Sequence, residues 1–164
     1  MKKIAALFIF LPLAAHSQHS YATLRGFDFN YSKYDPSIGA EFSLGGLFDK
    51  AGLGVGIAVI KIPNASEPYV PIFAEFTYFG ASNKVSPYLN VQGGYGIYQN
   101  DFVKGGPYFH PNIGVAFPAK KLTKIILSAG YVSSDFSLKE YGRTGTLPLS
   151  SAISGFSLSI GAKF

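Results

Sequence analysis

The last thirteen residues of the chain, AISGFSLSIGAKF at positions 152–164, alternate between large apolar side chains and small or polar ones. Phe156, Leu158 and Ile160 share one parity, whereas the other parity carries glycine, serine and a lysine. A period of two is typical of a β-strand whose two faces meet different surroundings. The C-terminal segment therefore predicts a strand that ends at Phe164.

Seven further segments upstream repeat this period. They lie at positions 23–31, 38–48, 52–62, 69–79, 88–98, 108–118 and 125–134. Such segments exceed the ~5–6 residues of a common globular strand and match the ~9–11 tilted residues that cross a bilayer. No stretch of ten or more residues after position 17 has the helical period of 3.6. The predicted fold is all-β, an eight-stranded antiparallel transmembrane β-barrel.

The second face of these segments is rich in glycine, serine, asparagine and glutamine. Small polar side chains suit the interior of an eight-stranded barrel, where there is room only for side chains. A soluble barrel that binds an apolar ligand, like a lipocalin, is the alternative, with the apolar face inside. Its outer face would carry many charges, but this face carries only Asp28, Glu41, Glu75 and Lys163. The scarcity of charge favours the membrane.

In the first segment, assigning the apolar parity to lipid places Phe27, Phe29 and Tyr31 on the lipid face and Asp28 inside the barrel. Arg25 shares the parity of Phe27, so we expect it outside, near the inner end of the barrel, where a long side chain can reach the interface.

The N-terminus has the three regions of an export signal. Lys2 and Lys3 precede an apolar run at 4–15, and Ala15-His16-Ser17 fits a cleavage site. We predict a signal peptide at 1–17 and a barrel domain at 18–164. The chain has no cysteine, which excludes a disulfide scaffold and a lipoprotein anchor. A formal net charge of +5 does not indicate nucleic-acid binding.

Connections between the segments also alternate in kind. Short inner turns are predicted at 49–51, 80–86 and 119–124, and outer loops at 32–37, 63–68, 99–107 and 138–151. Outer-membrane barrels have short periplasmic turns and longer external loops. Four cations lie at or beyond the outer ends, where they either contact lipopolysaccharide phosphates or are solvated loop charges: Lys61, Lys104, Lys139 and Arg143.

The terminal strand, with its apolar residues and final aromatic, resembles the assembly signal of outer-membrane barrels. Its members are Phe156, Leu158, Ile160 and Phe164. The whole mature chain resembles the small eight-stranded outer-membrane barrels of the OmpX and OmpA-transmembrane class. The resemblance implies a monomer in the outer membrane of a Gram-negative-type cell, with lipid, lipopolysaccharide and the barrel-assembly machinery as partners. It also implies a mostly filled interior and roles in adhesion, envelope stability or narrow conductance.

Seven inward side chains are predicted to form an interior polar network: Glu41, Glu75, Asn90, Gln92, His110, Asn112 and Lys163. An unpaired charge inside would be costly, so we expect the carboxylates, at different depths, to pair with Lys163 or with tyrosine and asparagine. His110 could serve a lipid A-modifying enzyme as a base, with Ser128 or Ser134 as nucleophile. We favour an interior hydrogen-bonding role for His110 and expect no catalysis, cofactor or metal. The expected function is structural or interactive, through the external loops, with narrow conductance as a further possibility.

Overall fold

The computed structural model describes residues 19–31, 36–62, 68–80, 85–98, 103–119, 123–138 and 150–164. Its strands are β1 His19–Tyr31, β2 Ser37–Phe48, β3 Ala51–Lys61, β4 Tyr69–Phe79, β5 Ser86–Tyr98, β6 Val103–Lys104, β7 Gly106–Pro118, β8 Lys124–Leu138 and β9 Ser150–Lys163. The predicted signal peptide and most residues of the predicted outer loops lie outside the described residues.

The eight long strands form one closed antiparallel sheet. Each pairs with the next along the chain, and β9 pairs with both β8 and β1. The two-residue β6 adds a short pairing to the end of β8. Closure leaves no long strand with an unpaired edge, which is how a sheet can satisfy its backbone in lipid. The predicted eight-stranded antiparallel barrel is confirmed, although β1 begins earlier, at His19, and β8 continues to Leu138.

The two ends of the barrel differ. At one end, called the turn end, Asp49 and Lys50 alone join β2 to β3. Asp49 has a φ of 55°, in the left-handed region that aspartate tolerates in tight turns. Phe164 lies at the same end, and its backbone exchanges hydrogen bonds of 2.8 and 3.1 Å with Ala22. The opposite end, called the loop end, carries the longer connections.

The outer wall of the barrel is apolar on every side. Ile113 is 70% exposed and Phe156 77% exposed. The other large apolar residues exposed on the strands include Phe42, Leu44, Val55, Ile57, Ile72, Phe76, Leu89, Tyr95, Leu127, Tyr131, Leu158 and Ile160. So continuous an apolar surface would be costly in water and is the surface that a barrel presents to hydrocarbon. Within the described ranges, no helix has the length and apolarity needed to cross a membrane.

Seven of the long strands have the predicted parity, but the prediction for β1 was wrong. Arg25 and Phe27 point inward, with exposures of 1% and 4%, and Asp28 points outward. The reason lies in the pairing with β2, which sets Arg25 opposite Glu41 and Phe27 opposite Gly39. The inward ring occupies the space that a side chain at Gly39 would need. The inward guanidinium compensates a buried carboxylate, which outweighs the gain from placing one aromatic ring in lipid.

Candidate functional site

The lumen of the barrel is filled by side chains in three layers. At the loop end the layer is apolar and aromatic; its members are Phe27, Ala58, Ile60, Tyr69, Phe73, Tyr108 and Val132. At the turn end a second such layer consists of Phe79, Tyr88, Ala116 and Ile126. A polar layer lies between them. Strand β4 crosses all three, because Tyr69 begins it, Phe79 ends it and Glu75 lies between.

The polar layer is organised around one buried ion pair. Arg25 donates from Nε to Oε1 of Glu41 over 2.6 Å and forms a salt bridge to the same atom through Nη2. Gln92 donates to that oxygen over 2.9 Å. The side chains of Arg25 and Glu41 are 0% and 1% exposed, so each charge depends on the other for compensation.

The second carboxylate, Glu75, is held by neutral donors. The hydroxyls of Tyr21 and Ser43 donate to its Oε1 over 2.8 and 2.7 Å, and Asn90 donates to its Oε2 over 3.0 Å. Tyrosine and asparagine were among the expected partners. Lys163 was another, but its Nζ lies instead 3.3 Å from the centre of the Tyr21 ring, a cation–π geometry. The ammonium and the carboxylate therefore share Tyr21 as an intermediary.

Asn90 connects the two carboxylates into a single network. It accepts from Nη2 of Arg25 over 3.1 Å and donates to Glu75. Glu41 and Glu75, which we expected at different depths, are thus linked through Arg25 and Asn90. With Lys163 included, the network holds two cations and two carboxylates, so its formal charges balance.

His110 joins the network to β9. Its Nε2 lies 2.8 Å from the hydroxyl of Ser157, and its Nδ1 lies 3.2 Å from Oε1 of Gln92. The expected serine partners are engaged elsewhere: Ser128 bonds to Ser159 over 2.6 Å, and Ser134 bonds to Tyr69. A histidine and a serine are therefore within reach of each other, but an amide stands where a hydrolase would place a carboxylate. His110 and Ser157 are 0% and 1% exposed, so both side chains are buried in the lumen.

Four buried polar atoms have no hydrogen-bond partner in the described part of the chain. They are Thr23 Oγ1, Ser37 Oγ, Glu41 Oε2 and Asn112 Oδ1. The amide nitrogen of Asn112 donates to the backbone oxygen of His110 over 3.2 Å. Among the residues with assigned positions, no three histidine, aspartate or glutamate side chains come together to hold a metal ion.

Four members of this site were not in the predicted network: Arg25, Tyr21, Ser43 and Ser157. The sequence contains a signal for the inward orientation of Arg25. Thr23 and Arg25 are polar, whereas Leu24 between them is apolar, so the first half of β1 already favours the parity that the structure has. The proposed assembly residues Phe156, Leu158, Ile160 and Phe164 all lie on the outer wall, each more than half exposed.

Solved structures of small outer-membrane barrels share this fold. Neisserial surface protein A matches with a TM-score of 0.58 at 16% identity, over 88% of this chain and 94% of that one. OprG from Pseudomonas aeruginosa matches with 0.56 at 12% identity, over 91% and 97% of the two chains. OprH from Pseudomonas aeruginosa matches with 0.57 at 12% identity, over 88% and 98%. No protein-family profile matches the chain, and no curated protein does.

At these identities the likeness establishes the fold. The chain has the fold of the small Gram-negative outer-membrane barrels, and its continuous apolar wall is the surface that such a barrel presents to lipid. In outer-membrane barrels, the end with the short turns faces the periplasm and the end with the longer loops faces the outside.

Proposed function

From a fold shared with small outer-membrane barrels, we propose that this protein is a membrane-embedded barrel with a filled lumen. Its role is structural or interactive and is exercised by its external loops. The three-layered lumen is the observation that carries the proposal. Bulky side chains lie at both ends, Tyr108 and Phe73 at one and Phe79 and Tyr88 at the other. The network between them joins four strands through its two carboxylates and its guanidinium. Opening such a lumen would require breaking a charge-balanced network in a low-dielectric interior.

Recording in planar lipid bilayers tests the filled lumen. The wild-type protein is expected to give no stepwise ionic current. A variant that combines Phe27→Ala with Arg25→Ser and Glu41→Ser removes a ring from the loop-end layer and the ion pair of the polar layer. It serves as the positive control and is expected to raise the leak. Stable single-channel current steps from the wild type would show that the protein is a pore and that its lumen is not filled.

The loops are tested in cells that lack the chromosomal copy. The full chain and a variant with residues 139–149 replaced by a short Gly-Ser linker are expressed at equal levels. Surface binding and resistance to detergent are then measured. We expect the linker variant to insert normally and to lose the phenotype that the full chain restores. An unchanged phenotype would exclude this loop, the longest one, as the source of the function.

We also propose that the barrel is not an enzyme. The support is the burial of His110 and Ser157 and the amide of Gln92 on the far side of the ring. Mass spectrometry of lipid A from cells with and without the protein checks this. Identical lipid A is the expected result, and a loss or gain of an acyl chain that His110→Ala abolishes would establish a lipid A-modifying enzyme.

The remaining partners are proposals from the resemblance. We expect the folded protein to be a monomer that contacts lipopolysaccharide at its loop end and is inserted by the barrel-assembly machinery. The exposed residues from Phe156 on β9 to the terminal Phe164 are the segment available to that machinery. Deleting Phe164 is expected to slow insertion in cells while leaving refolding in detergent unchanged.

A further inference from the structure

Two lysine ammonium groups meet at the turn end of the lumen. Lys163 ends β9 and Lys124 begins β8, and the two residues are directly opposite each other in the register of these strands. Both nitrogens lie over the ring of Phe79, at 4.1 Å from its centre for Lys124 and 5.1 Å for Lys163. Like charges directly opposite each other destabilise a sheet, so this pair costs stability unless an anion compensates it.

Neither ammonium group forms an ion pair with a described residue. The ion pair found in the lumen joins Arg25 to Glu41. The carboxylate of Phe164 follows Lys163 in the chain but makes no ion pair with it. Lys163 is only 4% exposed and already enters the charge balance of the polar network. Lys124 therefore adds, at the same end of the lumen, a positive charge that no described residue compensates.

A hydroxyl group without a partner lies in the same row of the sheet. Thr23 on β1 is directly opposite Lys163, on the side away from Lys124. Its Oγ1 is buried and has no hydrogen-bond partner among the described residues, and the residue is 3% exposed. Opposite residues of antiparallel strands have Cβ atoms ~4.5–5.5 Å apart. The turn-end row, defined as Lys124, Lys163 and Thr23, thus combines two cationic donors with a hydroxyl whose proton has no acceptor.

We propose that the turn-end row binds the phosphate group of a small water-soluble molecule. The two ammonium groups donate charge-assisted hydrogen bonds to phosphate oxygens, and the hydroxyl of Thr23 donates to a third oxygen. A phosphate ester carries roughly 1.5 to 2 negative charges at pH 7. Such a group offsets both the excess charge of Lys124 and the repulsion between the two lysines.

The orientation of the row decides which molecules can reach it. Its side chains face the lumen, whereas lipid surrounds the outer wall, so a soluble phosphate can enter and a lipid headgroup cannot. In barrels of this fold the turn end faces the periplasm, which is therefore the compartment that supplies the ligand. The site leaves the lumen filled and is independent of the role of the external loops.

Equilibrium dialysis with inorganic phosphate tests the site. The purified protein, folded in an uncharged detergent, is dialysed against phosphate while chloride keeps the ionic strength constant, and the bound phosphate is measured. Saturable binding of a single phosphate is expected. Lys124→Gln should weaken it about fivefold, the effect of one basic residue beside an anionic headgroup. Lys50→Gln removes the same charge from an exposed position at the same end and should leave the affinity within about twofold, because solvent and salt screen it.

Thr23→Val tests the hydroxyl without altering charge. In buffer without phosphate this variant should resist urea at least as well as the wild type, because a buried hydroxyl without a partner lowers stability. Phosphate should stabilise the wild type more than the variant, since a ligand that binds the folded state raises its stability in proportion to its occupancy. A threonine with a purely structural role would give the same difference in both buffers, which would remove Thr23 from the site.

A competing lipid distinguishes the source of the phosphate. Phosphatidylethanolamine, whose headgroup has no net charge, is added to the micelles during dialysis and should leave the binding of free phosphate unchanged. Displacement of phosphate by this lipid would mean that a headgroup occupies the row and would overturn the proposal. The absence of saturable binding would also overturn it, as would equal weakening by Lys124→Gln and Lys50→Gln, which indicates a general counterion effect. Heat-modifiable gel mobility confirms that each variant is folded.

Discussion

Strands β1 and β9 are hydrogen-bonded neighbours in the barrel wall, yet β1 reverses at Phe27 and Asp28 the rule that β9 follows along its length. On β9 the apolar residues Phe156 and Leu158 face outward and Ser157 faces inward. On β1 Phe27 faces inward and Asp28 outward. The comparison shows that hydrophobic alternation predicts the side-chain orientation of a strand that contributes mainly an apolar outer surface. In a strand that also supplies a cation and an aromatic ring to the lumen, the contacts inside the barrel determine the side-chain orientation.

The largest effect is expected from removing the cation that β1 supplies. Arg25→Met leaves Glu41 buried without its counter-charge, and breaking a buried pair in this way costs about 3–5 kcal/mol. The free energy of unfolding, measured with urea in lipid vesicles, should fall by that amount. The double variant Arg25→Met with Glu41→Gln should recover most of the loss. A single variant as stable as the wild type would contradict the inward position of Arg25.

Removing one ring from each strand compares β1 and β9 directly. Phe27→Ala opens a cavity in the loop-end layer and should cost about 3 kcal/mol. Phe156→Ala, on the outer wall, leaves no cavity because lipid tails fill the space, so it should cost only the lost transfer from water to lipid, about 1–2 kcal/mol. The same urea titration measures both. If the two costs were reversed, Phe27 would have to face lipid and the inward parity of β1 would be wrong.

A smaller effect is expected at the residue opposite the inward ring. Gly39→Ala places a Cβ against Phe27, and such overpacking costs about 1–3 kcal/mol. Adding Phe27→Leu frees the space, so the Gly39→Ala change should destabilise the Phe27→Leu background less than it destabilises the wild type. Additive effects in this double-mutant cycle would mean that the two residues do not touch.

The smallest effect is expected at Asp28, the acidic residue of β1 that faces lipid. Asp28→Leu should stabilise the barrel by up to ~1 kcal/mol, since an acidic side chain near the interface carries only a modest penalty. Heat-modifiable mobility and urea midpoints in vesicles are precise enough to see the sign. A loss of stability beyond ~1 kcal/mol would indicate an inward carboxylate with partners.

The sequence predicted the wall well because each outward residue meets the same solvent. Lipid imposes one preference on all eight strands, so Ile57, Phe76 and Leu127 could be placed from alternation alone. Strand ends were less predictable, since β1 and β8 extend past the last clear alternation.

The lumen was predictable in composition but not in pairing. Glu41, Glu75, Asn90, Gln92, His110, Asn112 and Lys163 do face inward. Their partners depend on register across several strands, which alternation does not specify. Arg25 reaches Asn90, four strands away around the sheet, and His110 reaches Ser157 on β9. Such contacts come from the curvature of the closed barrel.

The side of β1 that meets hydrocarbon determines whether Arg25 can join the polar network, and lipid-attached quenchers measure it directly. The chain has no cysteine, so single cysteines can carry a fluorophore at chosen positions, with Leu158→Cys and Ser157→Cys as the outward and inward references on β9. We predict that quenchers on the acyl chains dim probes at Leu24→Cys and Asp28→Cys and spare those at Thr23→Cys and Phe27→Cys. Quenching at positions 23 and 27, with positions 24 and 28 spared, would contradict the inward placement of Arg25 and Phe27.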